Sequence, residues 1–587
     1  MIHPLRYLLG LAGLLVGAAW IIPPASQSAP SSSPAGSVSF QDVTVKVGLT
    51  TKGQPIIGEQ WGDIAVADYD NSGWDSVYIG HHGSCNFNVG QPCTLGGNEG
   101  SLTWPRGGQL FHNAHGTFTE TTSLLPPVTD TTQHRHIALW CDVEHTGFED
   151  LIIGTGFRTD TRDVTGVNDL WLHNDGKSFT DIASKLGTTD LMSKVSAMTC
   201  GNLVGTGPDV LLANLEPTPP FGSQPAQHLW VNSLPTTPLQ EQAVARGLTG
   251  TTAYSADEKP YGLACADFRR IGLMDCLTTG NNYSLWFLNN RNGTFTPTTG
   301  VYGGVAASLG PYNHDAYFAD FSGHGFLDAG VALTPATMRI LCNNGTTILT
   351  ECSRVPLPHG PNAEVRSMAV GDFDNSGAPS IFVTMSRGCL QNGNGCKGPD
   401  ALLMNNGHGQ FTDMATQAGL NRFVGTPFGA GGAAVIDYDM DGRLDLIVGY
   451  NDQGVPGPFI LYRNVTQSGN SWIGFRLNGP VTIGSWVTIT ACNRRQVQQL
   501  TARTGWVHQS SRVIHFGLGT CSGSVAVETV WRTGQITHFT LTANKYYTMT
   551  PTGQPTALTT SGSTLSTSGS TPSGAQKGRG GAKPKRR

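Results

Sequence analysis

The sequence predicts an all-β chain, a seven-bladed β-propeller followed by a small C-terminal β domain, on three observations. A short acidic loop running into an apolar stretch occurs seven times. An asparagine-bearing strand follows each loop. A lone strand stands ahead of the first loop with no unit of its own. Self-similarity at such spacing means a repeat architecture, in which each unit buries its faces on its neighbours.

The least eroded loop is DYDMDGRLDLIVG, Asp437 to Gly449. It places acidic oxygens at positions 1, 3, 5 and 9 (Asp437, Asp439, Asp441, Asp445) around Gly442 at position 6. Oxygens on alternate residues of a tight turn suit a hard cation such as calcium, and the glycine permits the bend. Upstream copies begin at Asp68, Asp142, Asn202, Asp267, Asp320 and Asp372. Successive starts are 74, 60, 65, 53, 52 and 65 residues apart, room for four short strands and their loops. The second element reads LFHNAHGTFTE from Leu110, LWLHNDGKSFTDIA from Leu170, LWVN from Leu229 and LNNRNGTFT from Leu288. It continues as LCNNGT from Leu341, LMNNGHGQFTDMA from Leu403 and LYRN from Leu461.

Outer strands are expected at FTDIASKLG (179–187) and FTDMATQAGL (411–420), but the seventh unit stops at Asn464. The displaced FQDVTVKVGL (40–49) is therefore expected to complete the seventh blade and close the ring, hiding its strand edges. An open β-solenoid is the rival reading, and it would not need that strand.

Calcium affinity rises with the number of converging carboxylates, which ranks the loops. After the seventh comes the second, with Asp142, Glu144 and Asp150 plus Thr146. The first has Asp68, Asp70 and Ser72, its next acid displaced to Asp75. The sixth has Asp372, Asp374 and Ser376 with Ser380, and the fifth Asp320 and Asp328 around Ser322 and His324. In the fourth, Arg269 replaces a ligand with a positive charge; the third has Asn202 and Val204 at its first two ligand positions. Both are expected to be empty. The alternative is a set of Asx-rich hairpin turns holding no ion. An EF-hand is excluded, because Val448 stands where its last glutamate belongs and strands flank the loop.

Composition fits this picture. Charged residues are only 13% of 587, and glycine is abundant at 76, as in a turn-rich β protein. The net charge is −5, but the last eleven residues carry six Lys or Arg, so the body alone is near −11 and is no nucleic-acid groove. Residues 1–29, with Arg6 before an apolar run from Leu8 to Ile22, read as a secretory signal followed by a linker over 30–39. An uncleaved anchor is the alternative. After signal cleavage no integral membrane span is expected. Twelve cysteines in an exported chain read as disulfides: Cys85–Cys93, Cys265–Cys276, Cys342–Cys352, Cys389–Cys396, Cys492–Cys521 and, by elimination, Cys141–Cys200. N-x-[ST] sequons stand at Asn282, Asn292, Asn344 and Asn464.

The D-x-D-x-D-G-x-x-D loop with its apolar strand resembles the FG-GAP, or VCBS, repeat of integrin-α-type propellers over residues 40–465. The resemblance implies calcium as a structural brace in the blade loops. Residues 470–550 have a different texture, with period-two strands at NSWIGFRLNG and IGSWVTITA and the run HFGLG at 515–519. They resemble the ASPIC/UnbV domain at Trp472, Gly474, Gly484, Gly505, Ser510, Arg512, His515 to Gly519, Trp531 and Gly534. The chain departs from that family at Arg532-Thr533, where Pro-Ser is usual. The tail 551–587, rich in Ser, Thr and Gly with a basic end, lacks apolar residues to bury and is expected to be disordered, its basic end free to touch an anionic surface.

No G-x-S-x-G elbow, H-E-x-x-H or phosphate loop is present. His81-His82 and His134-x-His136 lack matching acidic or cysteine partners. His508, Arg512 and His515 are expected to support a hairpin surface rather than a polar site. The expectation is a secreted or periplasmic, non-enzymatic propeller that binds an extracellular protein or polysaccharide, with the Cys85–Trp104 insertion a leading contact loop. A polysaccharide hydrolase or lyase, needing two extra carboxylates in the central funnel, and a lectin-like sugar binder are the alternatives.

Overall fold

The structure is a computed structural model. It describes residues 38–58, 62–81, 108–127, 134–156, 169–188, 195–214, 227–248, 259–281, 284–298, 314–333, 337–345, 349–357, 365–385, 399–421, 429–451, 457–479 and 482–558. The signal segment, most of the linker, the Cys85–Trp104 insertion, Cys389 and Cys396, His82, Asn282 and the tail beyond 558 lie outside the described residues, as do the side chains of His134 and His136.

The chain is all-β, built mainly of small four-stranded sheets whose strands run largely antiparallel. Each of the seven units carries its acidic loop between a first strand and a second. The first strands are Ile64–Ala67, His134–Cys141, Val195–Gly201, Lys259–Ala266, Ala316–Ala319, Val365–Gly371 and Ala433–Ile436. Each touches the first strand of the next unit, and that of unit 7 touches that of unit 1. The fourth strand of unit 7 is Phe40–Asp42, which pairs antiparallel with Gly457–Asn464, Phe40 opposite Asn464. Apolar faces interleave across this junction. Ile64, Val66, Val77 and Ile79 share one cluster with Ala434, Ile436, Ile447 and Leu461, all 0% exposed. Each larger side chain so buried contributes about 1.5–3 kcal/mol.

The outer strands are shorter than expected. Those at 40–49, 179–187 and 411–420 end at Asp42, Asp181 and Asp413. In each, the aspartate Oδ1 accepts the backbone N–H two residues on, which turns the chain out of the sheet. A helical turn, Ala183–Leu186, follows in unit 2, closed by Gly187 at φ 77°.

The units are joined by their asparagines. Asn113, Asn174, Asn232, Asn289, Asn343, Asn405 and Asn464 are all buried. Each Nδ2 donates to the carbonyl at loop position 2 of the preceding unit: Tyr69, Val143, Leu203, Phe268, Phe321 and Phe373 for units 2 to 7, at 2.7–2.9 Å. Asn113 of unit 1 donates likewise to Tyr438 of unit 7 at 2.9 Å. The same Nδ2 also donates within its own loop, as Asn464 does to Leu444. The sequon at Asn464 is thus consumed by the core, with that residue 0% exposed.

The C-terminal module forms two four-stranded sheets. One orders Ile514–Gly519, Ser471–Leu477, Tyr546–Met549 and Thr556–Ala557; the other orders Arg494–Gln499, Trp486–Ala491, Ser524–Val530 and Ile536–Thr542. Its core includes Ile473, Phe475, Val487, Ile489, Ile514, Phe516 and Trp531. The ordered module runs past the expected boundary at 550, because Thr556 and Ala557 pair with Thr548 and Tyr547 and Leu558 packs beside Trp74, Met440, Trp472 and Tyr546.

Four disulfides are present among the described residues: Cys141–Cys200, Cys265–Cys276, Cys342–Cys352 and Cys492–Cys521. Each matches the expected pairing. No described helix is long and apolar enough to cross a membrane.

Asn113→Ala removes the donor for two buried carbonyls, Asp75 and Tyr438. It is expected to destabilise the protein by about 2–4 kcal/mol in urea unfolding, while Asn290→Ala at an exposed turn should stay within about 0.5 kcal/mol. Equal midpoints for the two variants would remove the asparagine from its role as a joint.

Candidate metal centres

The position-1 aspartate of a loop is spent first on the turn itself. Asp437 accepts the N–H groups of Asp441 and Gly442, and Asp142 those of Thr146 and Gly147. Asp372 takes those of Ser376 and Gly377, and Asp68 and Asp320 take those of Gly73 and Gly325. The position-9 group is spent on the strand asparagine. Asp445, Asp150 and Asp328 accept the backbone N–H of Asn464, Asn174 and Asn343 through one oxygen and loop N–H groups through the other. In units 1 and 6, Ser76 and Ser380 take this place by accepting from Asn113 and Asn405. Asp75, the displaced acid, instead meets Arg476 at 3.0 Å and Ser511 at 2.6 Å.

The loops differ in what faces the remaining acids. In unit 7 the oxygens of Asp437, Asp439 and Asp441 lie within 4.8 Å of one another; Asp445 is not in this group. Burial, and then the charges of Asp441 and Asp439, push the Asp437 carboxyl up to about 8. Asp439 Oδ1 is buried without a hydrogen-bond partner. Arg463 reaches Asp439 at 2.7 Å and Asp441 at 3.0 Å, and Arg443 also pairs with Asp441.

In unit 2 the converging trio is Glu144, Asp150 and His173, with His173 Nδ1 2.6 Å from Glu144. Lys185 pairs with Glu144 as well, at 2.6 Å, and Asp142 is outside the trio. In unit 1 His112 meets Asp70 at 2.9 Å, Arg476 approaches Asp68 to 3.6 Å, and Ser72 donates to Asp68. In unit 6 Asp372 and Asp374 lie together; burial and Asp374 hold the Asp372 carboxyl well above its usual range. In unit 5 burial, and then Asp328, push Asp320 up to about 7, and Asp320 Oδ1 and Ser322 Oγ are buried without partners.

Unit 4 carries its own cation. Arg269 forks onto Asp275 at 2.7 and 2.5 Å and donates to the Asn289 carbonyl at 2.6 Å. In unit 3 the loop is one residue shorter, and Asp209 does the position-9 work alone by accepting from Leu203, Val204 and Asn232.

Sequence reasoning missed one regularity. The residue before the strand asparagine is His112, His173 or Arg463 in units 1, 2 and 7, and each reaches the position-3 acid of its own loop. The letters HN, HN and RN opposite Asp70, Glu144 and Asp439 carried that signal.

The loop side of the units is covered by the C-terminal module. Besides Arg476 on unit 1, Arg512 pairs with Glu149 of unit 2, and Arg494 donates to the Ser376 and Gly377 carbonyls of unit 6 at 2.6 and 2.7 Å. The Arg270 guanidinium of unit 4 stacks on Trp486, 4.4 Å from the ring centre.

A finger of the module, residues 499–511, enters among the first strands. His508–Gln509 pairs in parallel with Ile64–Ala65 of unit 1. Gln509 exchanges two hydrogen bonds with the Trp140 backbone of unit 2, and Thr504–Gly505 contacts the first strands of units 3 and 4. His508 lies 3.7 Å from Asp315 and 2.9 Å from Ser367 Oγ, reaching units 5 and 6. Ser510 and Ser511 bond Val435 of unit 7 at 3.0 and 2.9 Å. The expectation that His508, Arg512 and His515 support an exposed hairpin is corrected. His508 and His515 are 2% and 4% exposed, and burial pushes both imidazoles down to about 4.

Acids at the starts of first strands are also buried. Asp63 accepts the Ala138 N–H, and Asp315 accepts those of Ala316 and Met368. Burial pushes Asp63 up to about 8 and Asp315 well above the carboxylate range. His81 is buried against Gln109 at 3.1 Å.

Residues 477–556 match the family described as ASPIC and UnbV, so the chain carries a domain of that family at its C-terminal end. Cartilage acidic protein 1 of Xenopus tropicalis is 25% identical over 276 residues, 44% of this chain and 39% of that protein. The chain thus spans about two-fifths of that relative's length. Among solved structures, an Agrocybe aegerita lectin recognising non-reducing terminal N-acetylglucosamine matches at 16% identity over 62% of this chain and 88% of its own, with a TM-score of 0.37. Saccharomyces cerevisiae Sqt1 matches at 9% over 74% and 99%, with a TM-score of 0.39.

Arg269→Ala strands the buried Asp275 carboxylate and is expected to cost about 3–5 kcal/mol in urea unfolding; a loss under 1 kcal/mol, the size of a surface pair, would contradict the internal-cation role. The Asp63 carboxyl, ordinary at 3.8 and held near 8 when folded, contributes stability below about pH 4 that fades as pH rises through 8. Urea midpoints at pH 5, 6.5 and 8 should therefore fall in the native protein relative to Asp63→Asn, and parallel pH profiles would refute it.

Proposed function

We propose that this chain is an exported, calcium-braced, seven-bladed propeller of the FG-GAP type that binds an extracellular protein or polysaccharide and performs no catalysis. The observation that carries the reading is the use to which the polar residues are put. Loop acids cap turns, hold the strand asparagines or face cations, and the first-strand acids Asp63 and Asp315 accept backbone N–H groups. Among these described acids, none outside the converging loop carboxylates is left as the free pair that a hydrolase or lyase needs.

The closed ring is supported by the bond from Asn113 to Tyr438 and by Phe40–Asp42 completing unit 7. Calcium is supported most at unit 7, where three clustered carboxylates include an unpaired buried oxygen and outnumber the two arginines, Arg443 and Arg463, that pair with Asp441 and Asp439. An oxygen-only donor set is what a hard cation takes. Asp437, Asp439 and Asp441 would hold it, with Asp445 bracing the loop from behind. Unit 5 is the second candidate, on the unpaired Asp320 Oδ1 and Ser322 Oγ. In units 1 and 2 the imidazoles of His112 and His173 compete for the acids, and in unit 6 Asp372 lies hard against Gly517 of the module.

Because the module covers the loop side, a ligand has the opposite end of the units, where second strands lead to third strands. Disulfides and the ASPIC/UnbV domain fit an extracellular setting.

Calcium is expected to raise the melting temperature of chelator-treated protein by several degrees, and Asp439→Ala to lose most of that gain. A flat response in both proteins would end the calcium reading. Screening the exported protein against glycan and matrix-protein arrays should return a saturable ligand with no change to that ligand's covalent structure; released product would point to the hydrolase instead.

A further inference from the structure

We infer that the Asp437 loop and the C-terminal module form one cation-coupled joint, in which a divalent cation held by the loop and the seating of the module each favour the other. This rests on the calcium reading of that loop and adds what the cation controls.

Three module side chains grip the loop from outside. Tyr546 donates its hydroxyl to Asp437 Oδ2 at 2.5 Å, the same oxygen that accepts the Gly442 N–H at 2.8 Å. His515 Nε2 lies 3.1 Å from the Gly442 carbonyl, which also accepts from Asn375 Nδ2 at 2.9 Å. Trp472 covers Gly442 so closely that a Cβ there would come within 1.7 Å of its ring. The indole packs 4.5 Å from the Tyr546 ring and 5.8 Å from that of His515, so the three act as one surface. The finger holds the strand that leads into the loop, through Ser510 and Ser511 on Val435.

The module treats other loops differently. It brings a guanidinium to unit 1 (Arg476), to unit 2 (Arg512) and to unit 6 (Arg494). To unit 7 it brings a hydroxyl, an imidazole and an indole. Positive charge at that loop comes from Arg443 and Arg463 of unit 7 itself, which face Asp441 and Asp439 and leave Asp437 to Tyr546. Among units 1, 2, 6 and 7, the loop to which the module brings no guanidinium partner, that of unit 7, is the one whose three carboxylates converge.

Coupling follows from shared geometry. The three carboxylates converge only while the turn through Gly442, at φ 82°, is kept. A cation bound to them fixes that turn from inside, and the module reads the same turn from outside. By linkage the preference is reciprocal, so loosening the module must weaken the cation.

Terbium, a calcium-sized ion whose emission is sensitised by nearby Tyr and Trp, tests this on the full chain. Saturable luminescence that calcium displaces and Asp439→Ala abolishes is expected. Calcium should slow hydrogen exchange of residues 499–519, far from the ion in sequence, and Tyr546→Phe should weaken terbium by about five- to tenfold. Terbium binding with unchanged exchange, or with unchanged affinity in Tyr546→Phe, would overturn the coupling and leave the calcium site standing. Absence of any displaceable signal would overturn the site and the coupling together. The exchange comparison uses the native protein, so it decides the matter even if Tyr546→Phe folds poorly.

Discussion

The structure depends on one repeated hydrogen bond, from a buried asparagine Nδ2 to a carbonyl of the neighbouring unit. A loop that turns at the end of two buried strands leaves its position-2 carbonyl pointing at the next unit, away from water. Unpaired, such a carbonyl costs about 1–3 kcal/mol. The asparagine meets it with one N–H and meets its own loop with the other, while its Oδ1 accepts from the turn beyond, as Asn464 does from Thr466. No other side chain of that size carries two donors and an acceptor without a charge. Aspartate would set a carboxylate against two carbonyls, and leucine would leave both unpaired. The residue is therefore fixed while the loops around it drift.

That drift is ordered. Each loop must keep a group that accepts the asparagine N–H, and Asp, or Ser in units 1 and 6, suffices. The acids at positions 3 and 5 have no such duty, and their charge is answered locally. His112, His173 and Arg463 answer it from the adjoining strand, while Arg269, itself at position 3 of unit 4, answers Asp275, and Arg476 of the module answers Asp75 and Asp68 of unit 1. Loops alike in shape thus differ in whether an added cation is wanted. Counting acids alone misses this, because the compensating charge lies on another strand.

The parts legible in the sequence were those set by local chemistry. Asp437 to Asp445 named the turn, the asparagine strands marked every unit, and the lone strand at Phe40 predicted a partner it does pair with. Close cysteine spacing gave Cys265–Cys276 and Cys342–Cys352, the C-terminal module's only two cysteines gave Cys492–Cys521, and elimination gave Cys141–Cys200. Strand ends were less visible, since Asp42, Asp181 and Asp413 stop their strands through a side-chain bond that propensity does not report. Least visible was the finger. His508, Arg512 and His515 read as supports of a hairpin surface, yet the first strands of units 1, 2 and 7 offer backbone donors and acceptors to Gln509, Ser510 and Ser511 between them. Polarity in a sequence tells what a residue must bond, and only the fold tells whether water or protein provides it.

The finger also changes what the C-terminal module is. A module merely tethered after unit 7 would have its own core and a weak, polar boundary. This one has its own core, but its finger adds a strand to unit 1 and satisfies backbone groups in units 2 and 7. The bond from Ser511 to Asp75 spans 436 residues of sequence. Phe40 reaches Asn464, so the chain's early residues and its late ones both close the same region. Such pairings close very long loops, whose entropy cost is met before the contacts reward it. Module and units are then one cooperative structure, and a surface assigned to the loop side of the units belongs to neither part alone.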